Sequence, residues 1–231
     1  MFDRLLRAGR VSFAEAQAFA RQAVLLRHDV ERPVVPDDVE PNADVVVVLH
    51  GLFATAGVLR PLRERLERHG DVHTATLSYA PHRGVREVAV RVRALLADLP
   101  STARLHLVGH SMGGVVARYV GVTAADPRIV QTVALASPFG GVRGVSLLSV
   151  DVARDMEPES EVLRTIRTSQ AGRHLPHLSI LAGADALFSN PIVHALPDGE
   201  VVVLSDRGHN ALLFDDECLR LVEARVRART I

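Results

Sequence analysis

Apolar residues along the chain fall into short continuous runs that alternate with segments of helical spacing. The clearest run is Asp44-Val45-Val46-Val47-Val48-Leu49, whose unbroken β-branched stretch is typical of a strand buried on both faces of a parallel sheet. Further runs predict strands over 72–79, 105–108, 130–136, 178–183 and 200–204, and helical spacing predicts helices over 58–69, 85–99, 158–171 and 211–229. This alternation predicts an α/β fold with a mostly parallel central sheet of about six strands flanked by helices.

A separate helix is predicted ahead of the first strand. Ser12-Phe13-Ala14-Glu15 has the form of a capping box, so we expect a helix that begins there and runs to about Leu26. Phe13, Phe19 and Leu26 indicate an apolar side, used most simply to dock on the body of the protein. A lid, or peripheral contact with a membrane surface, is the alternative role for this helix.

The predicted organisation has two parts. Residues 1–42 form the N-terminal helix and an arm rich in proline and acidic residues, and residues 43–231 form the main domain. An insertion over 139–177 follows the fourth predicted strand. Because insertions of this size at strand ends usually cover or flank a site, we expect a short lid-like element there.

Composition removes several classes of protein. The chain has 231 residues with 27 Lys+Arg against 27 Asp+Glu, so no global field would gather nucleic acid. The one cysteine, Cys218, cannot form an internal disulfide and is best explained as a small apolar filler. Charges interrupt the first seven residues, and no stretch approaches the roughly 20 apolar residues of a membrane span. We therefore expect a soluble, cytoplasmic protein.

The segment Gly109-His110-Ser111-Met112-Gly113 carries the first candidate for chemistry. A predicted strand precedes it and a predicted helix follows, so the serine lies on a tight strand-to-helix turn. Small residues two positions before and after the serine let strand and helix pass closely, which pushes the hydroxyl into solvent. This arrangement predicts a nucleophilic serine.

A serine hydroxyl is a weak nucleophile unless a base lies within hydrogen-bond reach and a third group orients that base. His209 follows the last predicted strand, and Asp185 follows the strand before it. Because the carboxyl ends of parallel strands share one edge of the sheet, we expect Ser111, Asp185 and His209 to converge there.

Other residues compete for the same roles. Histidines at 50 and 110 lie beside the proposed site, but their places within motifs favour bracing of the loops. Among the acids, Asp206 is close to His209 along the chain, and Asp151 and Asp155 lie in the insertion, so Asp185 is the first choice.

The chain order Ser, Asp, His, together with the strand that ends in His50-Gly51 and the Gly109–Gly114 turn, resembles the α/β-hydrolase family, and within it the bacterial lipases and esterases. The likeness covers about 44–231. It implies Ser111 as nucleophile, His209 as general base and then acid, and Asp185 as the residue that orients the imidazole. It also implies an oxyanion hole formed by the backbone N–H groups of Leu52 and Met112.

The resemblance also bears on the substrate pocket and on metals. Phe139 stands where lipase-like sequences often carry histidine, which makes the pocket wall more apolar. Some bacterial lipases hold calcium, but no carboxylate cluster here resembles a calcium loop, so we expect no metal and no cofactor. Phe53, Phe139, Leu147 and Leu148 are candidates for an apolar substrate pocket, although core positions explain such residues equally well.

The leading hypothesis is a serine hydrolase that cleaves carboxylic esters with a hydrophobic acyl part through an acyl-enzyme. The partner would be a small-molecule ester or a lipid, with no nucleic acid. Thioesterase, acyltransferase or perhydrolase chemistry on the same three residues is the first alternative. A non-catalytic binding protein on the same fold is the second, because a fold by itself does not determine a function.

Overall fold

The structure is a computed structural model that describes residues 2–143, 151–188 and 190–228. Leu147 and Leu148, two of the predicted pocket residues, lie outside the described residues. Within the described ranges, no helix is both long enough and apolar enough to cross a membrane.

Six parallel strands form one sheet in the order β2-β1-β3-β4-β5-β6, as the alternating pattern predicted. Each strand corresponds to one predicted run, with its ends moved by a few residues at most. The strands are β1 (Asp44–Leu49), β2 (Val72–Thr76), β3 (Arg104–His110), β4 (Ile129–Leu135), β5 (His177–Ala182) and β6 (Glu200–Leu204).

Helices cover both faces of the sheet. They are α1 (Phe2–Leu25), α2 (Arg60–Glu67), α3 (Val85–Ala97), α4 (Met112–Thr123), α5 (Asp151–Asp155), α6 (Glu161–Thr168), α7 (Gln170–His174) and α8 (Asp216–Arg227). The predicted C-terminal helix is divided: a 3-10 turn over Ala211–Phe214 comes first, and Asp215 then caps α8 by accepting a hydrogen bond from the Cys218 N–H at 3.0 Å. This cap begins a new helix axis, which is why one predicted helix became two elements.

Strand β1 is buried on both faces, as its unbroken apolar run predicted. Val45, Val47 and Leu49 point into one core with α3 and α4, and Val46 and Val48 point into a second core with α2 and α8. Such two-sided burial holds the centre of the sheet rigidly, and the loops that leave its carboxyl edge start from fixed positions.

The N-terminal helix differs from its prediction in two ways. It begins at Phe2, so Ser12 lies inside the helix and the predicted capping box is wrong. Phe13 and Phe19 are 65% and 56% exposed, so they do not dock on the body. The docked side instead includes the buried Ala18, with Leu25 and Leu26 packed against the second core.

The described part of the 139–177 insertion belongs to the core. Val162, Leu163 and Ile166 of α6 are buried in the same cluster as α3 and α4. Its predicted lid-like role stays a prediction.

Candidate functional site

The loops predicted to carry chemistry all leave the same edge of the sheet. β1 ends before the loop of Leu52 and Phe53, and β3 ends at the turn of Ser111. β5 and β6 end before Asp185 and His209 respectively. Since every strand pair is parallel, these carboxyl ends lie side by side.

Ser111 lies on a strained turn between β3 and α4. Its backbone has φ 54° and ψ −125°, a conformation that a residue with a side chain rarely adopts. The turn closes because Gly109 and Gly113 lack side chains: a methyl group at Gly109 would lie 2.2 Å from the Gly113 carbonyl oxygen, and one at Gly113 would lie 2.2 Å from that of Leu49. The Ser111 N–H donates to the Leu135 carbonyl at 2.8 Å, which ties the turn to β4.

Asp185 and His209 form a buried pair. The Nδ1 atom of His209 donates to Oδ2 of Asp185 at 2.7 Å, and their side chains are 4% and 1% exposed. The other carboxylate oxygen accepts the N–H groups of Leu187 at 2.8 Å and Phe188 at 3.1 Å. With its proton on Nδ1, where the carboxylate accepts it, the ring has Nε2 left to accept a proton.

His110 connects the serine turn to the histidine loop. Its Nε2 atom donates to the His209 carbonyl at 3.0 Å, and the two ring centroids are 4.8 Å apart. Burial, and then the neighbouring His209, lower the pKa of His110 to about 3. A neutral His110 braces the loop, as its place in the motif predicted.

The loop after β1 passes directly against Ser111. A methyl group at Gly51 would lie 3.1 Å from the Ser111 Cβ and 3.1 Å from Nδ1 of His110. Gly51, Ser111 and His110 therefore pack against one another. Because His110 also hydrogen-bonds the His209 carbonyl, the His209 loop lies beside them.

His50 holds this loop in shape. Its Nδ1 atom donates to the Gly51 carbonyl at 2.7 Å, and its Nε2 atom accepts the Tyr79 N–H at 3.1 Å. The Tyr79 ring stacks on the imidazole at 3.8 Å, and its hydroxyl donates to the His50 carbonyl. Burial lowers the pKa of His50 to about 4, so the ring stays neutral and keeps both contacts.

The predicted pocket residues have different surroundings. Phe53 is 77% exposed at the end of its loop, and Leu52 beside it is partly exposed. Phe139 is buried in the first core and packs edge-on against His177 at 5.2 Å, so its ring has the core position that was the alternative explanation. The Met112 side chain is also buried there, which leaves its backbone N–H as the group of interest.

One residue at this edge was not found from the sequence. The Glu15 carboxylate in α1 accepts the Asn210 N–H, directly after His209, at 2.9 Å. In the sequence, Glu15 occupies the last position of the predicted capping box with Ser12, and no local pattern indicates a partner 195 residues away.

The edge offers no metal site among the residues that the structure describes. No three His, Cys, Asp or Glu side chains lie together there in a way that could hold an ion.

Known structures share this architecture. The mature lipase BlEst2 of Bacillus licheniformis matches with a TM-score of 0.64 and 12% identity, over 85% of this chain and 95% of its own. The metagenomic carboxyl esterase MGS0156 matches with a TM-score of 0.62 and 15% identity, over 84% and 79%. The Mycobacterium tuberculosis protein BpoC, described as a putative non-heme bromoperoxidase, matches with a TM-score of 0.61 and 19% identity, over 87% and 99%. These likenesses show the α/β-hydrolase fold.

Sequence comparison adds the family. A search of curated proteins found no match. Residues 40–178, more than half of the chain, match the family described as "Putative serine esterase (DUF676)". That segment contains the loop of Leu52 and the turn of Ser111. The chain therefore belongs to this family of serine esterases with the α/β-hydrolase fold.

Proposed function

We propose that the protein hydrolyses carboxylic esters with a hydrophobic acyl part, with Ser111, His209 and Asp185 as its catalytic residues. The observation that carries this proposal is the 2.7 Å hydrogen bond between His209 and Asp185, at the same edge of the sheet as the strained Ser111 turn. A hydroxyl on such a turn and an oriented imidazole are the two parts that acyl transfer to serine requires.

The first half of the reaction transfers the acyl group to the enzyme. Nε2 of His209 accepts the Ser111 proton as Oγ attacks the ester carbonyl. Asp185 holds the Nδ1 proton and stabilises the imidazolium that forms. The imidazolium then donates its proton to the departing alcohol oxygen, and the acyl group stays on Oγ.

The second half releases the acid. Water attacks the acyl carbonyl while Nε2 of His209 accepts one of its protons, and collapse of the tetrahedral intermediate returns that proton to Oγ. The products are the carboxylic acid and free Ser111.

Two backbone N–H groups are assigned to the oxyanion that forms in each half. Met112 is the first residue of α4, where N–H groups lack a partner within the helix. Leu52 follows Gly51, whose carbonyl is held by His50. One such donor contributes on the order of 10²–10³ in rate.

The preference for a hydrophobic acyl part rests on exposed apolar side chains in these same loops. Phe53 and Leu187 are 77% and 63% exposed, and Leu52 beside Phe53 is 36% exposed. Exposed large apolar residues in functional loops favour an apolar ligand.

A fluorophosphonate probe and a set of esters test the proposal. Wild-type protein should label with the probe, and Ser111→Ala should not label and should lose a factor of at least about 10⁴ in kcat/KM on p-nitrophenyl butyrate. Rates on p-nitrophenyl esters from acetyl to palmitoyl then give the acyl preference. Folded wild-type protein that neither labels nor hydrolyses any ester would overturn the proposal, and a maximum at acetyl would remove the hydrophobic preference alone.

A further inference from the structure

The N-terminal helix α1 runs along the loops of the catalytic edge, outside the segment that matches the family. Glu15 near its middle and Gln22 in its last turn contact the loop after His209. Directly after the helix, the carbonyls of Leu26 and His28 accept the Thr55 hydroxyl at 3.0 and 3.3 Å, in the loop after Phe53. One segment therefore joins the two loops to which the proposed function assigns the general base and an oxyanion donor.

From these contacts we infer that Glu15 is a positioning residue for His209, an inference that rests on the proposed function. The Glu15 carboxylate accepts the backbone N–H of Asn210 at 2.9 Å, that of Ala211 at 3.0 Å, and the side-chain amide of Asn210 at 2.8 Å. Gln22, two turns along the same face of α1, donates to the Asn210 amide oxygen at 2.8 Å. Asn210 is thus held by both residues.

These contacts hold one particular peptide group from both sides. The peptide between His209 and Asn210 carries the carbonyl that accepts from His110 at 3.0 Å and the N–H that donates to Glu15 at 2.9 Å. His110 belongs to the serine turn and Glu15 belongs to α1. Rotation of this peptide plane would break both hydrogen bonds, so the two contacts favour one orientation of the plane and with it one direction in which the His209 side chain leaves the backbone.

The backbone N–H groups directly after His209 require a hydrogen-bond acceptor. Asn210 precedes the 3-10 turn Ala211–Phe214, whose first N–H groups lack partners within the turn, and the Asn210 side chain does not cap it. A carboxylate also interacts favourably with the positive end of a helical turn. Glu15 supplies both the acceptor and the charge, and it does so from an element distant in sequence.

Proton transfer to His209 tolerates only small displacements of its imidazole. A general base must lie within about 2.6–3.2 Å of the proton that it accepts, and a displacement of about 1 Å costs on the order of 10²-fold in rate. Loss of Glu15 leaves the peptide held only through its carbonyl. Asp185 still orients the ring, but the backbone from which the ring projects is free to shift.

Removal of the carboxylate tests the inference. Glu15→Ala should lower kcat on p-nitrophenyl butyrate by about 10- to 100-fold, with KM within about twofold, because substrate contacts are unchanged. Glu15→Gln keeps an acceptor oxygen and should recover part of the loss. Gln17→Ala, at an exposed residue of the same helix, is the matched control and should behave as wild type. Each kcat is expressed per serine titrated with the fluorophosphonate, which removes any contribution from unfolded protein.

The outcomes separate this inference from the proposed function. If wild type is active and Glu15→Ala retains kcat per titrated serine within threefold, Glu15 only fastens the helix and the inference is overturned. If wild type neither labels nor hydrolyses esters, the proposed function fails first. If Glu15→Ala does not fold, Glu15→Gln carries the measurement: its single acceptor oxygen cannot serve both the Asn210 and the Ala211 N–H groups, so kcat per titrated serine should still fall severalfold, and an unchanged kcat overturns the inference equally.

Discussion

Asp185 uses its two carboxylate oxygens for different purposes. Oδ1 accepts two backbone N–H groups and keeps the loop in shape, while Oδ2 accepts the Nδ1 proton of His209. One oxygen of this single side chain therefore maintains the loop, and the other orients the imidazole. An amide at position 185 can satisfy the loop with its oxygen, and its NH2 group then faces Nδ1 and forces the proton onto Nε2.

Asp185→Asn should therefore fold normally and lose activity. We expect kcat to fall by about 10³- to 10⁴-fold, because the imidazole with its proton on Nε2 cannot accept the serine proton. The measurement is kcat on p-nitrophenyl butyrate with the melting temperature as the check on folding. Asp206→Asn, at an exposed acid close to His209, is the control and should leave kcat unchanged. The assignment of Asp185 fails if the two variants exchange these results.

The turn that carries Ser111 is closely packed because a helix and a strand, rather than single side chains, approach each other there. Strand β1 and helix α4 approach each other so closely that a methyl group at Gly113 would lie 2.2 Å from the Leu49 carbonyl and 2.4 Å from that of His50. A contact this short with backbone cannot be relieved by a rotamer change, since β1 is buried on both faces.

Gly113→Ala should lower the free energy of unfolding by about 3 kcal/mol, which corresponds to a fall in melting temperature of roughly 6–12 °C. Gly9→Ala in α1 is the matched control: nothing lies within 4 Å of the added methyl group, and alanine favours a helix. Its melting temperature should stay equal or rise slightly. Equal stability of both variants would mean that the turn is looser than described.

Neutral buried histidines are distributed over the whole molecule. Burial lowers the pKa of His50 to about 4, and the pKa values of His110 and His177 to about 3. His177 contacts the hydroxyls of Thr132 at 2.7 Å and Ser179 at 3.0 Å, far along the sheet from the other two. In the unfolded chain each ring has the ordinary histidine pKa of about 6.5. Below that pH the unfolded state binds more protons than the folded state.

Stability should consequently decrease as the pH falls. These histidines contribute fully above about pH 6.5, and the contribution is lost progressively down toward the folded pKa values of about 3 to 4, with each ring adding up to about 1.4 kcal/mol per pH unit. Urea unfolding at a series of pH values from 8 to about 4.5 measures the slope. His177→Gln should reduce it, whereas His82→Gln, at an exposed site, should not. A His177→Gln profile parallel to wild type would contradict the assignment.

The helices and strands, and the places of the chemical groups along them, could be predicted from the amino-acid sequence. Unbroken apolar runs specify the strands, of which β1 is buried on both faces, and Gly109 and Gly113 around Ser111 specify a closely packed turn. The order of strands and helices then places Asp185 and His209 at one edge. These features can be predicted from the sequence because each depends on the spacing of residues close together in the chain.

Contacts between side chains distant in sequence could not be predicted and became visible in the folded molecule. Glu15 reads locally as a partner for Ser12, yet it binds the peptide after His209, and Phe13 and Phe19 face outward while Ala18 is buried. Phe139 likewise lies in the core, with His177 as its neighbour. Periodicity shows that a helix or strand has a side that faces the core. The partner of a polar group on that side depends on which distant loop lies against it, and packing of the whole chain decides which loop that is.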